Sequence, residues 1–162
     1  MKVRLFYGCL TGCLIALLTG CTMKAVDTAD TGDRATAEKR VLIATQRSKF
    51  KQALVSEIKD TLQTNAYYIR VVDVKKLHGE PIANINAIVI INKCMAGRPD
   101  PRVETFIDNA FPKNKIIVLT TGRLDSWRPN AKGMDAMTSA SNLKESSTIA
   151  QRIVTKVLAF EN

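Results

Sequence analysis

A chain of 162 residues with 24 basic and 15 acidic side chains carries a formal net charge of +9, and 46% of it is hydrophobic. That length suits one domain, and a single histidine with no cysteine or acid at ligand spacing excludes a readable metal site. The bases are scattered, with no run of six and no basic-aromatic motif, which argues against nucleic acid. They fit instead a solvated basic surface able to meet an acidic protein partner or an anionic lipid surface.

At the N-terminus, Lys2 and Arg4 precede an uncharged, mostly apolar run from Leu5 to Leu18, and no acid occurs before Asp27. The run has the length of a signal core and is too short to span a bilayer comfortably. Leu-Thr-Gly-Cys occurs twice, ending at Cys13 and at Cys21, and the earlier copy leaves too short an apolar core before it. Leu18-Thr19-Gly20-Cys21 resembles the lipobox of bacterial lipoproteins, in which cleavage leaves a diacylated cysteine as the first residue. The resemblance implies a lipoprotein signal peptide over residues 1–20, palmitate on Cys21, and a membrane anchor through the N-terminal lipid. Thr22 is not the aspartate that retains enterobacterial lipoproteins at the inner membrane, so the resemblance also implies the periplasmic face of the outer membrane.

Cleavage there leaves 22 bases against 15 acids, about +7. Cys9 and Cys13 depart with the signal and Cys21 is acylated, so Cys94 is left alone and an intramolecular disulfide is excluded. Residues 21–39, rich in Thr, Ala, Asp and Gly, read as a flexible stalk. The domain is expected over 40–162.

Within it, RVLIAT (40–45) is continuous, apolar and β-branched, as a strand buried on both faces should be. Phe50, Leu54, Ile58 and Leu62 recur every four residues behind Ser48, which predicts a capped amphipathic helix. YYIRVVDV (67–74) is a second strand, and AIVIIN (87–92) is a third and central one. Asp100-Pro101 is an N-cap and first helical residue, followed by Val103, Phe106, Ile107 and Ala110 on one face. KIIVLTT (115–121) predicts a fourth strand and GMDAMTS (133–139) a short fifth. A last helix carries Ile149, Ile153, Val157 and Phe160 on one stripe. Between Gly122 and Met134 there is too little chain for a full helix with its loops, so one helix position is trimmed. Strands alternating with helices imply crossovers and a parallel sheet.

This succession resembles the flavodoxin-like fold, a three-layer α/β sandwich with a five-stranded parallel sheet in the order 2-1-3-4-5. VLIAT with its turn and helix is similar to the flavodoxin opening. AIVIINKCMAGRPDPRVETFI is similar to the family's third strand, its Gly-x-Pro-x-Pro loop and the helix that follows, and KIIVLTTG to its fourth strand and glycine-ended loop. The resemblance covers residues 40–160 and implies a ligand rim at the carboxyl ends of strands one, three and four, with FMN as the candidate cofactor.

The phosphate loop of flavodoxins has the form Thr-x-Thr-Gly-x-Thr, whereas the matching stretch is Thr45-Gln46-Arg47-Ser48-Lys49, without glycine. Thr45 and Ser48 offer hydroxyls, and Arg47 and Lys49 offer charge for an anion. The alternative is that Ser48 caps the helix while Arg47 and Lys49 are solvated. The third-strand loop offers Met95 and Gly97 but no aromatic for a flavin ring. The fourth offers Thr120, Thr121, Gly122 and, five residues on, Trp127, the only tryptophan. Asp135, Thr138, Ala140 and Ser141 loosely match the motif at which some exported electron-transport proteins attach FMN through a threonine, but Ser139 replaces its glycine and Ser141 its acceptor.

Cys94 ends a central strand beside Lys93, where a thiol is either reactive or a small apolar filler, and His78 reads as a surface residue. No catalytic residue is assigned. Two functions are compatible with these residues: a tethered binding or scaffold module with a degenerate FMN site, and an FMN-binding electron-transfer protein or reductase of the cell envelope.

Overall fold

The computed structural model describes residues 25–94, 98–110, 112–122 and 133–160. Among them, six strands form one sheet: β1 (Ala29–Thr31), β2 (Lys39–Thr45), β3 (Tyr67–Asp73), β4 (Ala87–Lys93), β5 (Ile116–Gly122) and β6 (Asp135–Ala140). Their order is β1-β3-β2-β4-β5-β6, and every neighbouring pair from β3 to β6 is parallel. Counted from Lys39, this is the expected 2-1-3-4-5 order of a flavodoxin-like domain.

β1 is the addition, and it corrects the expectation of a flexible stalk over residues 21–39. Ala29, Asp30 and Thr31 carry no large apolar side chain, yet they pair antiparallel with Val71, Arg70 and Ile69. The cause is tertiary: β3 is the outer strand of the parallel set, and its edge would otherwise leave backbone groups unpaired. Asp30 also accepts from Arg70 Nη1 at 3.0 Å, while Arg70 Nη2 reaches Glu80 at 3.1 Å. Gly32 then turns the chain at φ +88°, where an added Cβ would stand 2.9 Å from the Tyr67 carbonyl oxygen. Upstream, Val26 packs against the core and donates its N–H to Asp73 Oδ2 at 2.8 Å. Among the described residues the fold therefore extends back to Val26, ahead of the Arg40 expected.

Helix α1 (Lys49–Thr64) starts where Ser48, in extended conformation, accepts the Lys51 N–H on its hydroxyl at 3.1 Å. Phe50, Leu54, Ile58 and Leu62 are buried, as their spacing requires. Helix α2 (Pro101–Asn109) is capped by Asp100 with Pro101 in the first turn, and helix α3 (Ser146–Ala159) buries Ile149, Ile153 and Val157. A six-residue 3-10 turn, Val74–Gly79, follows β3.

The strands are apolar throughout because both faces of the sheet are covered. Val41, Ile43, Val89, Ile91, Ile117 and Leu119 face α1 and α3. Leu42, Ala44, Ile88, Ile90 and Val118 face α2 and the 3-10 turn. A side chain such as Ile43, fully buried, contributes about 1.5–3 kcal/mol relative to exposure. The parallel register brings Thr45 beside Asp73 and Ile91, Lys93 beside Thr121, and Gly122 beside Ala140, so the strands exit along one rim. Cys21, Met95, Gly97 and Trp127, with the trimmed crossover expected between Gly122 and Met134, lie outside the described residues. No helix of the described residues is long and apolar enough to cross a membrane.

Candidate functional site

The carboxyl rim of β2, β4 and β5 is held by side chains that bond to one another. Gln46, the first residue after β2, has three partners. Its Oε1 accepts from the Lys93 N–H at 2.9 Å and from Lys51 Nζ at 3.1 Å, and its Nε2 donates to Asp100 Oδ2 at 2.7 Å. One amide thus ties the β2 loop to the end of β4 and to the start of α2.

Asp100 is the hub of this network and is fully buried. Beyond Gln46 it accepts from the Arg102 backbone N–H at 3.0 Å and, in a forked pair, from Arg102 Nε at 2.8 Å and Nη2 at 2.7 Å. The Arg102 hydrogen bonds hold its carboxyl below the usual 3.8, against the opposing effect of burial. Its backbone N–H donates to Asn92 Oδ1 at 3.3 Å. Asn92, also fully buried, donates Nδ2 to Thr120 Oγ1 at 3.0 Å, and its carbonyl accepts from Thr121 Oγ1 at 3.1 Å.

Lys51 lies on the inner face of α1 and is 3% exposed. Burial first, and the Lys93 charge second, lower its ammonium from 10.5 to about 8, with Asp100 opposing both. Among the described residues its ammonium donates a hydrogen bond to Gln46. An open groove of about 350 Å³ begins here and runs between the N-terminal segment and α1, lined by Val26, Asp27, Arg47, Lys51, Gln52 and Lys59.

The sequence-derived candidates divide accordingly. Thr45 is 4% exposed and gives its hydroxyl hydrogen to the Gln46 carbonyl, 3.3 Å away. Ser48 is the helix cap, and Arg47 and Lys49 are exposed. Thr120 and Thr121 are buried and bonded to Asn92, and Gly122 closes β5. Two strand spacings separate Thr45 from Thr120, about 10 Å. Cys94, half-buried, donates its backbone N–H to Thr121 at 2.7 Å. His78 is exposed and sits edge-on to Phe106 with ring centroids 5.9 Å apart. Asp135 pairs with Lys156 at the start of β6, whereas Ser141 follows its end, so the loose covalent-flavin motif is stretched along a strand.

Sequence reasoning missed Lys51, Asn92 and Arg102, and took Asp100 for a cap alone. One signal was available: Lys51 is three residues before Leu54 and four before Val55, a charged residue on the stripe that packs inward.

No protein-family model matches this chain, and no curated protein matches it. Among solved structures, the chain is similar to a flavodoxin from the domain Archaea, with a TM-score of 0.50 and 14% identity over 74% of this chain and 99% of that one. It is similar also to the Flv1 flavodiiron core from Synechocystis sp. PCC6803, with a TM-score of 0.56 and 11% identity over 78% of this chain and 37% of that one. A third likeness is to the rubredoxin oxygen:oxidoreductase of Desulfovibrio gigas, with a TM-score of 0.51 and 13% identity over 76% of this chain and 37% of that one. This chain thus matches little more than a third of the length of the last two. At these identities the shared property is the flavodoxin-like fold.

Proposed function

We propose that the chain is a lipid-anchored binding or scaffold module of the cell envelope, a flavodoxin-like domain whose FMN site is degenerate. The observation that carries this reading is the Gln46 side chain. A phosphate cradle needs a loop that approaches closely and donors free to point at the anion. Here only Gln46, Arg47 and Ser48 separate β2 from α1, none of them glycine. The Ser48 oxygen accepts the Lys51 N–H of the helix it caps, and the Gln46 amide is bonded inward on both of its polar atoms. The residues of this loop therefore do not fit the FMN phosphate.

The tether rests on the Leu18–Cys21 motif, and the periplasmic face of the outer membrane on Thr22. Both are tested in cells: Cys21→Ser is expected to lose palmitate label and membrane attachment, while Cys13→Ser keeps both. The degenerate site is tested on the purified protein, which is expected to be colourless and to show no change in melting temperature with FMN. A functional site would add about 2.7 kcal/mol at a hundredfold excess of FMN over its Kd. Copurified flavin, or a melting shift of that size, would restore the electron-transfer reading.

A further inference from the structure

We infer that the carboxyl rim of the sheet is the surface this protein turns toward the membrane, and that anionic phospholipid headgroups are what its exposed cations meet there. The inference rests on the acylation of Cys21 proposed above. It starts from where the chain joins the fold: Val26 is fixed by its N–H to Asp73 Oδ2 at 2.8 Å and by packing on the core, and Asp73 is the last residue of β3. Lys76 adds a second tie, donating Nζ to Thr28 Oγ1 at 3.0 Å. β1 then runs antiparallel to β3, away from the rim. The N-terminal segment therefore meets the domain at the carboxyl end of the parallel strands.

Cys21 precedes Val26 by five residues, which at full extension reach about 18 Å whatever their conformation. A lipid on Cys21 holds this rim within that distance of the bilayer surface. The opposite end of the sheet lies a strand length further away, about 20 Å.

The charge on the rim complements such a surface. Three adjacent strands, β3, β2 and β4, each run out into cations: Lys75 and Lys76 after β3, Arg47 and Lys49 after β2, and Lys93 and Arg98 at and beyond the end of β4. Arg47, Lys49 and Lys75 are exposed, and none is in an ion pair among the described residues. The acids of the same rim are turned inward. Asp73 is 5% exposed and binds the backbone of Val26 and Lys75, and Asp100 is buried against Arg102 and Gln46. Asp27, Glu104 and, beyond β6, Glu145 are exposed acids of this rim among the described residues, fewer than its cations. The groove of about 350 Å³ beside Arg47, Lys51 and Lys59 opens at the same place and gives a headgroup phosphate room between the tether and α1. Tethering supplies a high local concentration, so weak electrostatic contacts suffice to orient the domain.

The test uses the full-length chain reconstituted into vesicles of phosphatidylcholine alone and of phosphatidylcholine with phosphatidylglycerol, with amide exchange read by mass spectrometry. Amides of residues 46–51 and 74–79 are expected to exchange about tenfold more slowly in the anionic vesicles, and those of 65–66 and 113–115, at the far end, at equal rates in both. High salt, or the triple variant Arg47→Gln/Lys49→Gln/Lys75→Gln, removes the difference: each cation contributes about fivefold, so the three together weaken docking on the order of a hundredfold. Equal rim exchange in the two vesicles, or protection at the far end, overturns the inference. The anchor is read separately, by acyl label on Cys21 and by sedimentation with neutral vesicles. A chain that is acylated and sediments but shows no rim protection refutes the docking face alone. An unacylated chain that still shows salt-sensitive rim protection refutes the lipid anchor alone.

Discussion

Replacing Lys51 by methionine should stabilise the protein at neutral pH. The ammonium is 3% exposed and titrates at about 8 instead of 10.5, so keeping it charged in the folded state costs about 3 kcal/mol. Methionine fills the space of the stem without the charge. Nothing is orphaned by the exchange: Gln46 Oε1 still accepts from the Lys93 N–H, and Asp100 keeps both Arg102 bonds and the Gln46 amide. Loss of the Lys51–Gln46 hydrogen bond offsets about 1 kcal/mol, leaving a gain of about 1–3 kcal/mol, or roughly 4–10 °C in Tm.

The pH dependence identifies the cause. Below about pH 8 Lys51 is protonated in the folded and unfolded chain alike, and the full penalty is present. Between there and 10.5 the unfolded chain binds more protons than the folded one, so wild-type stability rises with pH and the advantage of methionine shrinks. Calorimetry of both proteins from about pH 6 to about pH 10 would show the two melting curves converging. A methionine variant less stable at neutral pH, or a gap indifferent to pH, would refute the reasoning.

Asp100→Asn keeps the shape of the hub but removes its charge, and should cost about 2 kcal/mol in urea melts at neutral pH. Because Arg102 holds that carboxyl below 3.8, its contribution is present above 3.8 and lost as pH falls through the folded-state value, so wild type and variant should converge in acid. Ser48→Ala removes the hydroxyl that caps α1 and should lower stability by about 1 kcal/mol at unchanged m-value. Gly32→Ala meets both a positive φ and the Tyr67 carbonyl; it should cost about 1–3 kcal/mol and accelerate amide exchange in β1 while the central strands keep theirs.

The parts of the fold that could be read from the sequence are those whose cause is local. The apolar runs that became β2, β4 and β5 announce burial on both faces, and the fourfold spacing from Phe50 to Leu62 announces α1. Ser48 and Asp100-Pro101 marked helix starts because capping acts over two or three residues. β1 escaped because Ala-Asp-Thr has no pattern of its own and is recruited by an edge that lies some forty residues away. The Gln46 network escaped for the same reason: its partners Lys93 and Asp100 are 47 and 54 positions distant, and nothing about a glutamine in a loop signals them. The missing glycine in that loop was legible, but not the side chain that took the space.

Whether the rim is closed by its own side chains is read most directly by amide and side-chain NMR during titration with FMN. The Gln46 Nε2 protons, held by Asp100, and the amides of Gln46–Lys51 should keep their positions throughout, and no flavin should bind. Saturable shifts centred on Gln46–Lys51, with release of the Gln46–Asp100 bond, would contradict the closed rim and return the domain to cofactor chemistry.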